Sequence, residues 1–222
     1  MFSHEKVWSA CCKTLLLLIL FCSVGISQDL RAEEVRFPAD SVFQLKTFED
    51  ENGTHKYALF LPSGYTSEKK WPVVLFLHGA GERGNDGVNP TRIGLGAALQ
   101  ERPEQYPFIA VFPQVEDMEG RYLEGWLADS PDGIKAIKIL DEVVSHYAVD
   151  PDQQILTGWS MGGYGVWSLA TQSPDRWSAV MPLSGGGKPE WASVLAETPI
   201  WNFHGLKDLV VLPDESKKME AS

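Results

Sequence analysis

The stretch that decides the fold is Gln154 to Val166, which reads QILTGWSMGGYGV. Its apolar, β-branched start predicts a strand that stops at Gly158, and residues from Met161 onward are compatible with a helix. Ser160 therefore lies at a strand-to-helix turn within G-x-S-x-G, the setting in which this pattern marks a nucleophilic serine. The small residues Gly158 and Gly162 let strand and helix approach closely. The alternative interpretation is a glycine-rich turn that contains an incidental serine.

The N-terminal residues 1–27 predict a signal peptide rather than a structural element. Two lysines precede an apolar run, Thr14 to Val24, that is too short to span a bilayer comfortably. Small residues follow at Gly25 and Ser27, which predicts cleavage after Ser27 and a secreted or periplasmic product. After cleavage we expect no stable membrane insertion. The alternative is an uncleaved N-terminal anchor.

Composition places the remainder among globular enzymes or binding domains. The 222 residues suffice for one domain, with a linker at 28–40 and the domain at 41–222. The net charge of −11 argues against a nucleic-acid or anionic-membrane partner. All three cysteines lie within the predicted signal peptide, so the sequence predicts no disulfide and no thiolate metal site. No metal or organic cofactor is implied, and the sequence does not define an oligomeric state.

Apolar runs alternate with helical patterns along the rest of the chain. They predict strands at 42–48, 55–61, 72–77, 108–112, 179–183 and 200–204, with helices at 93–101, 130–147 and 161–169. Asn52-Gly53 predicts a hairpin between the first two strands. The alternation predicts an α/β fold with a mostly parallel, doubly covered sheet and an antiparallel pair at one edge.

Polar and glycine-rich segments follow four of these strands, where ligands of parallel sheets bind. They are HGAGERG at 78–84, Ser160, and residues 184–187 and 205–208. A phosphate-binding loop is the alternative for HGAGERG, but the Lys-Ser/Thr ending of such loops is missing.

Three motifs carry a resemblance to the α/β-hydrolase superfamily. LHGAGERG at 77–84, GWSMGGYGVW at 158–167 and FHGLKDLVV at 203–211 stand in the order and spacing of that fold. Within it the chain resembles secreted carboxylesterases related to polyhydroxybutyrate depolymerases, feruloyl esterases and the so-called predicted peptidases. The resemblance runs from about Tyr57 to the last residue.

The resemblance implies a role for four positions. Ser160 matches the nucleophile, and Asp208 matches the acid that orients a catalytic histidine. The backbone N–H of Met161 matches one oxyanion-hole donor, and that of Ala80 is the most plausible second donor. Together they imply hydrolysis of an ester through an acyl-enzyme on Ser160.

Substrate contacts are expected from Glu82 and Arg83, beside the oxyanion loop, and from Trp126 in the long loop 114–129. A local ion pair between Glu82 and Arg83 is the alternative. The expected partner is a small-molecule or polymer-linked ester. A peptide bond as the scissile bond, or an inactive exported domain that binds a ligand in the same cleft, are the competing functions.

The sequence departs from the family at the catalytic base. The order Ser, Asp, His requires a histidine after Asp208, and none follows it. His78 is expected to be structural, and His204 is the only surrogate near the right edge of the sheet. We therefore expect the chain to be incomplete at its C-terminus, without the last strand and the catalytic-histidine loop.

Overall fold

The computed structural model describes residues 36–120 and 122–220, so the predicted signal peptide and most of the linker lie outside the described residues. One sheet forms the centre of the molecule. Its strands are β1 Phe43–Asp50, β2 Gly53–Phe60, β3 Trp71–Leu77, β4 Ile109–Phe112, β5 Val149–Trp159 and β6 Ala179–Leu183. They pair in the order β1-β2-β4-β3-β5-β6.

The predicted antiparallel edge is confirmed. β1 and β2 form a hairpin in which Asp50 faces Gly53, and Gly53 takes the positive φ of 128° that favours glycine. β2 then pairs antiparallel with β4, whereas β4, β3, β5 and β6 run parallel. The carboxyl ends of the four parallel strands therefore meet at one edge of the sheet.

Residues 36–120 and 122–220 contain five α-helices beside the sheet: α1 Gly94–Glu101, α2 Pro131–His146, α3 Met161–Gln172, α4 Pro189–Val194 and α5 Asp214–Glu220. Helix α2 begins as predicted, because the Ser130 hydroxyl accepts the N–H of Gly133 at 3.0 Å and Pro131 is the first helical residue. The three- and four-residue spacing of Ile134, Ile137, Leu140, Val144 and Tyr147 predicts one apolar stripe on this helix, but the prediction was wrong at Ile134, which is 46% exposed. The buried face of α2 includes Ala136. Ile134 lies two residues earlier, which is a rotation of about 200° around the helix, so its side chain points away from that face. Among the described residues, no helix is long and apolar enough to cross a bilayer.

The segment 200–204 is not the regular strand that the sequence predicts. It makes two isolated parallel bridges to β6, Val180 with Ile200 and Leu183 with Phe203. The N–H groups of Trp201 and Phe203 donate to β6 carbonyls, but Pro182 has no N–H to donate in return. The missing hydrogen bond divides the ladder, although the chain still follows β6 as an extended segment.

Core residues lie on both faces of the sheet, in a larger cluster that includes α2 and α3 and a smaller one that includes α1. The second face also carries an apolar cavity of about 390 Å³ beside α1. Its wall on β5 and β6 consists of Ile155, Thr157, Trp159, Met181 and Leu183. Trp201, whose neighbours Asn202 and His204 contact α5, points to this face and is 66% exposed.

Candidate active site

Ser160 lies between the last residue of β5 and the first residue of α3. Its backbone has φ 55° and ψ −118°, a conformation that residues with a Cβ rarely adopt. The Ser160 N–H donates to Leu183 of β6 at 2.9 Å, and its carbonyl accepts the N–H of Tyr164 at 3.1 Å. The strain is therefore held by a strand on one side and a helix on the other, as is common at functional sites.

Two glycines make this turn possible. A Cβ on Gly162 would lie 1.9 Å from the carbonyl oxygen of Leu77, and one on Gly158 would lie 2.7 Å from the same atom. Real Cβ atoms do not approach this closely. The first turn of α3 therefore packs directly on the end of β3, which places the loop after Leu77 beside Ser160.

That loop is held by His78, which is fully buried. The Nε2 atom of His78 accepts the N–H of Val115 at 3.0 Å, so in the neutral ring the proton is on Nδ1, which donates to the Gly79 carbonyl at 2.6 Å. Because the C=O and N–H of one peptide point in opposite directions, this bond aims the Ala80 N–H away from His78. The orientation supports the predicted role of Ala80 as an oxyanion donor.

His78 is a structural residue rather than a base. Burial lowers the pKa of His78 to about 4, so the ring is neutral at pH 7. Trp126 supports it: the indole N–H donates to the His78 carbonyl at 3.0 Å and the two rings meet edge to face. Trp126 is fully buried, and this burial argues against the substrate contact expected for it. The sequence shows an aromatic residue in a polar loop but not its burial.

Met161, the other residue whose N–H is expected to be an oxyanion donor, is the first residue of α3. N–H groups in the first turn of a helix have no acceptor within the helix, and the helix dipole adds partial positive charge there. Its side chain is fully buried, which fixes the backbone at this position.

Glu82 and Arg83 face different surroundings. Burial raises the pKa of Glu82, and the N–H groups of Gly79 and Glu82 offset part of this effect. Glu82 Oε2 is buried and has no hydrogen-bond partner among the described residues. The Arg83 guanidinium donates to the Ala80 carbonyl at 3.0 Å and lies 5.6 Å from the Tyr122 ring. Arg83 therefore braces the loop, and the structure shows no ion pair between these two neighbours within its described ranges.

Sequence reasoning gave no signal for Trp159, yet its indole covers the oxyanion loop. A Cβ on Gly79 would lie 2.9 Å from this ring and 3.1 Å from Glu82 Oε2. Only glycine fits beneath the two side chains. Trp159 is 38% exposed and also lines the apolar cavity.

Asp208 follows the extended segment 200–204 as predicted. Its Oδ1 accepts the N–H groups of Val210 and Val211 at 2.9 and 3.0 Å, and these bonds lower the pKa of Asp208. The other oxygen is 3.7 Å from His204 Nε2. Ser184, whose φ of 47° is positive like that of Ser160, donates its N–H to Phe203 and so joins the two strand ends next to Asp208.

His204 is committed to other partners. Its Nε2 lies 2.8 Å from the Val211 carbonyl and its Nδ1 lies 2.6 Å from the Ser216 hydroxyl. None of the four histidines in the described part of the chain makes a hydrogen bond to Ser160. Within those same ranges, no group of three or more His, Cys, Asp or Glu side chains is placed to hold a metal ion.

The sheet order, the strained serine at the end of β5 and the glycine-rich loop after β3 are those of an α/β-hydrolase fold. The chain belongs to the Esterase family, described as "Putative esterase", whose sequence profile matches residues 50–218. It is similar to a thermostable esterase of known crystal structure, with 30% identity and a TM-score of 0.70 over 80% of this chain and 50% of that one.

Curated relatives include the "Probable feruloyl esterase C" of Aspergillus terreus, 28% identical over 59% of this chain and 46% of the relative. The chain thus spans about half the length of the curated relatives it matches. A mutant of the feruloyl esterase module from Clostridium thermocellum, complexed with sinapinate, has a TM-score of 0.64 over 84% of this chain and 76% of that one. At 18% identity it supports the fold alone.

Proposed function

We propose that this protein hydrolyses carboxylic esters through an acyl-enzyme on Ser160. The observation that carries the proposal is the strained backbone of Ser160 between β5 and α3, next to a loop whose Gly79–Ala80 peptide is held by His78. Fixed N–H groups beside a serine hydroxyl are what acyl transfer requires, because negative charge develops on the carbonyl oxygen.

The residues divide the reaction between them. Ser160 Oγ attacks the ester carbonyl carbon while a base removes its proton, and the Ala80 and Met161 N–H groups bind the resulting oxyanion. Collapse breaks the bond to the alcohol oxygen, which takes up the proton, and water then attacks the acyl-enzyme and releases the acid. Losing one oxyanion donor costs about 3–4 kcal/mol of transition-state stabilisation.

No histidine among the described residues is placed as the base. Asp208 presents a carboxylate held by two backbone N–H groups, the arrangement that orients an imidazole and stabilises its cation. His204, its neighbour, has both ring nitrogens occupied. We propose that Asp208 orients the imidazole that takes the Ser160 proton.

An ester rather than a peptide is the proposed substrate, either as a small molecule or linked to a polymer. The family name and the relatives named feruloyl esterase support this choice. Glu82 and Arg83, at the edge of the oxyanion loop, remain proposed substrate contacts. The predicted signal peptide supports a secreted or periplasmic location.

The test is covalent labelling of the full-length protein by a fluorophosphonate probe, together with hydrolysis of p-nitrophenyl acetate. Ser160→Ala should abolish both, whereas Ser168→Ala, a serine inside α3, should retain labelling. Labelling that survives in Ser160→Ala would refute the nucleophile. A protein that binds ferulate esters but neither hydrolyses them nor reacts with the probe would be an inactive binding domain.

A further inference from the structure

A cluster of charged side chains lies beside the active site, where the hairpin β1–β2, the start of α2 and the chain after β4 meet; all are buried except Glu116, which is 29% exposed. It consists of Asp50, His55, Glu116, Asp132 and Lys135. His55 contacts Asp50 at 3.1 Å and Glu116 at 2.9 Å, one through each ring nitrogen. Lys135 contacts Glu116 at 3.0 Å and Asp132 at 2.6 Å, and its side chain is only 5% exposed.

Apolar side chains of similar volume would usually stabilise the fold as well as such a cluster does, so the cluster is expected to have a role that needs charged groups. Removing charges from water costs several kcal/mol per ion, and their mutual attraction often only balances this loss. Each ring nitrogen of His55 contacts a carboxylate, which only accepts hydrogen bonds. The five groups are three carboxylates, one lysine and one histidine, so acidic side chains outnumber basic ones in the cluster.

Asp132 links the cluster to the backbone after β4. Its carboxylate accepts the N–H groups of Glu116 and Asp117, all at 3.2 Å. One residue earlier, the Val115 N–H donates to His78 Nε2 at 3.0 Å. His78 in turn donates to the Gly79 carbonyl. A continuous series of direct contacts thus joins a buried carboxylate to the peptide that carries the Ala80 N–H.

We propose that Asp132, held in its buried charge cluster, is a positioning residue that sets the oxyanion loop through Val115 and His78. It touches neither substrate nor Ser160. The oxyanion part of this proposal rests on the proposed function, whereas the series of contacts does not. Carboxylate geometry is needed because both oxygens accept backbone N–H groups, and an asparagine would turn an NH₂ group toward one of them.

The decisive measurement determines which tautomer the His78 imidazole adopts, and it does not require enzyme activity. In the unaltered chain at pH 7, ¹⁵N spectra of the imidazoles should show His78 as one neutral form with its proton on Nδ1. Asp132→Asn should displace Val115 and give a mixture of the two tautomers. Asp152→Asn, at an exposed aspartate, is the matched control and should leave the single form intact.

A second pair of variants separates positioning from stability. Lys135→Met leaves the Asp132 carboxylate uncompensated, so it should lower the melting temperature but keep the single His78 tautomer. Asp132→Asn with Lys135→Met removes both charges, so stability should recover toward that of the unaltered chain while the tautomer mixture persists. A single tautomer in Asp132→Asn, or recovery of both properties together in the double variant, would overturn the proposal.

Activity provides the link to catalysis. In the full-length protein, Asp132→Asn should lower kcat by about 10- to 100-fold, with KM nearly unchanged, because a displaced donor weakens the transition state rather than binding. An unchanged kcat alongside an altered tautomer would overturn the positioning role. If the unaltered protein has no esterase activity, the proposed function fails, and the tautomer result still decides whether Asp132 sets the loop.

Discussion

Ser160 holds a backbone conformation that a glycine adopts at no steric cost. Replacing it by glycine removes the strain of a Cβ at φ 55°, whereas replacing it by alanine keeps the strain and removes only the hydroxyl. We expect Ser160→Gly to be more stable than Ser160→Ala by about 1–3 kcal/mol in urea unfolding. Equal stabilities of the two variants would contradict a strained elbow.

His78 should make the protein sensitive to mild acid. Folding lowers its pKa from 6.5 to about 4, so between these values the unfolded chain binds a proton that the folded chain does not. Stability should therefore fall as the pH is lowered from about 6.5 to 4, by roughly 3 kcal/mol in total.

Urea unfolding at several pH values checks this, with His146→Gln at an exposed site as the control that keeps the slope. The Asn52 N–H and His55 lower the pKa of Asp50 to about 2. The stability that this carboxylate contributes is therefore lost only below about pH 4. The raised pKa of Glu82 acts in the opposite direction. A flat profile from pH 6.5 to 4.5 would show that His78 is not held neutral.

Single residues show how far sequence reasoning reaches. The serine turn is readable because its glycine spacing is a local steric requirement, and Asp208 because it follows a recognisable apolar run. The burial of Trp126 could not be predicted, since a loop residue's burial depends on what packs over it. The His78 tautomer depends on Val115, 37 residues away, and no local pattern records such a contact.

Among the elements, the contact between β3 and α3 is the tightest at the site. Gly162→Ala would place a methyl group 1.9 Å from the Leu77 carbonyl oxygen, and backbone atoms on both sides leave little room to move. We expect a loss of about 3 kcal/mol or more in unfolding free energy. Gly205→Ala, where nothing lies within 4 Å, should stay within about 0.5 kcal/mol.

Helices and strands were predictable from the sequence where the residues of the segment itself determine its conformation. The six paired strands and the start of α2 follow from local apolar patterns and capping residues. The segment 200–204 has an equally good pattern but is not a regular strand, because its regularity depends on Pro182 in the neighbouring strand. The buried face of α2 likewise depends on which side meets the sheet, and this misplaced Ile134 in the prediction.

For the molecule as a whole, we expect low esterase activity of the 222-residue chain, because none of the described histidines makes a hydrogen bond to Ser160. Without an imidazole to take the Ser160 proton, only positioning and electrostatics remain, about 10³–10⁴ over water in serine proteases. Turnover of p-nitrophenyl acetate should be near background, and His204→Ala should not change it. Ordinary esterase rates that disappear in His204→Ala would show that His204 leaves its present partners and acts as the base.

The indole of Trp159 contacts both the loop after β3 and the apolar cavity on the sheet. It covers Gly79, and the same side chain lines the cavity. A small apolar compound lodged in that cavity would press on the ring that keeps the oxyanion loop in place. Inhibition could then arise without any contact to the nucleophile, and it would be non-competitive toward small esters. A change in tryptophan fluorescence that is lost in Trp159→Phe would report occupancy, which makes the cavity a practical starting point for fragment screening.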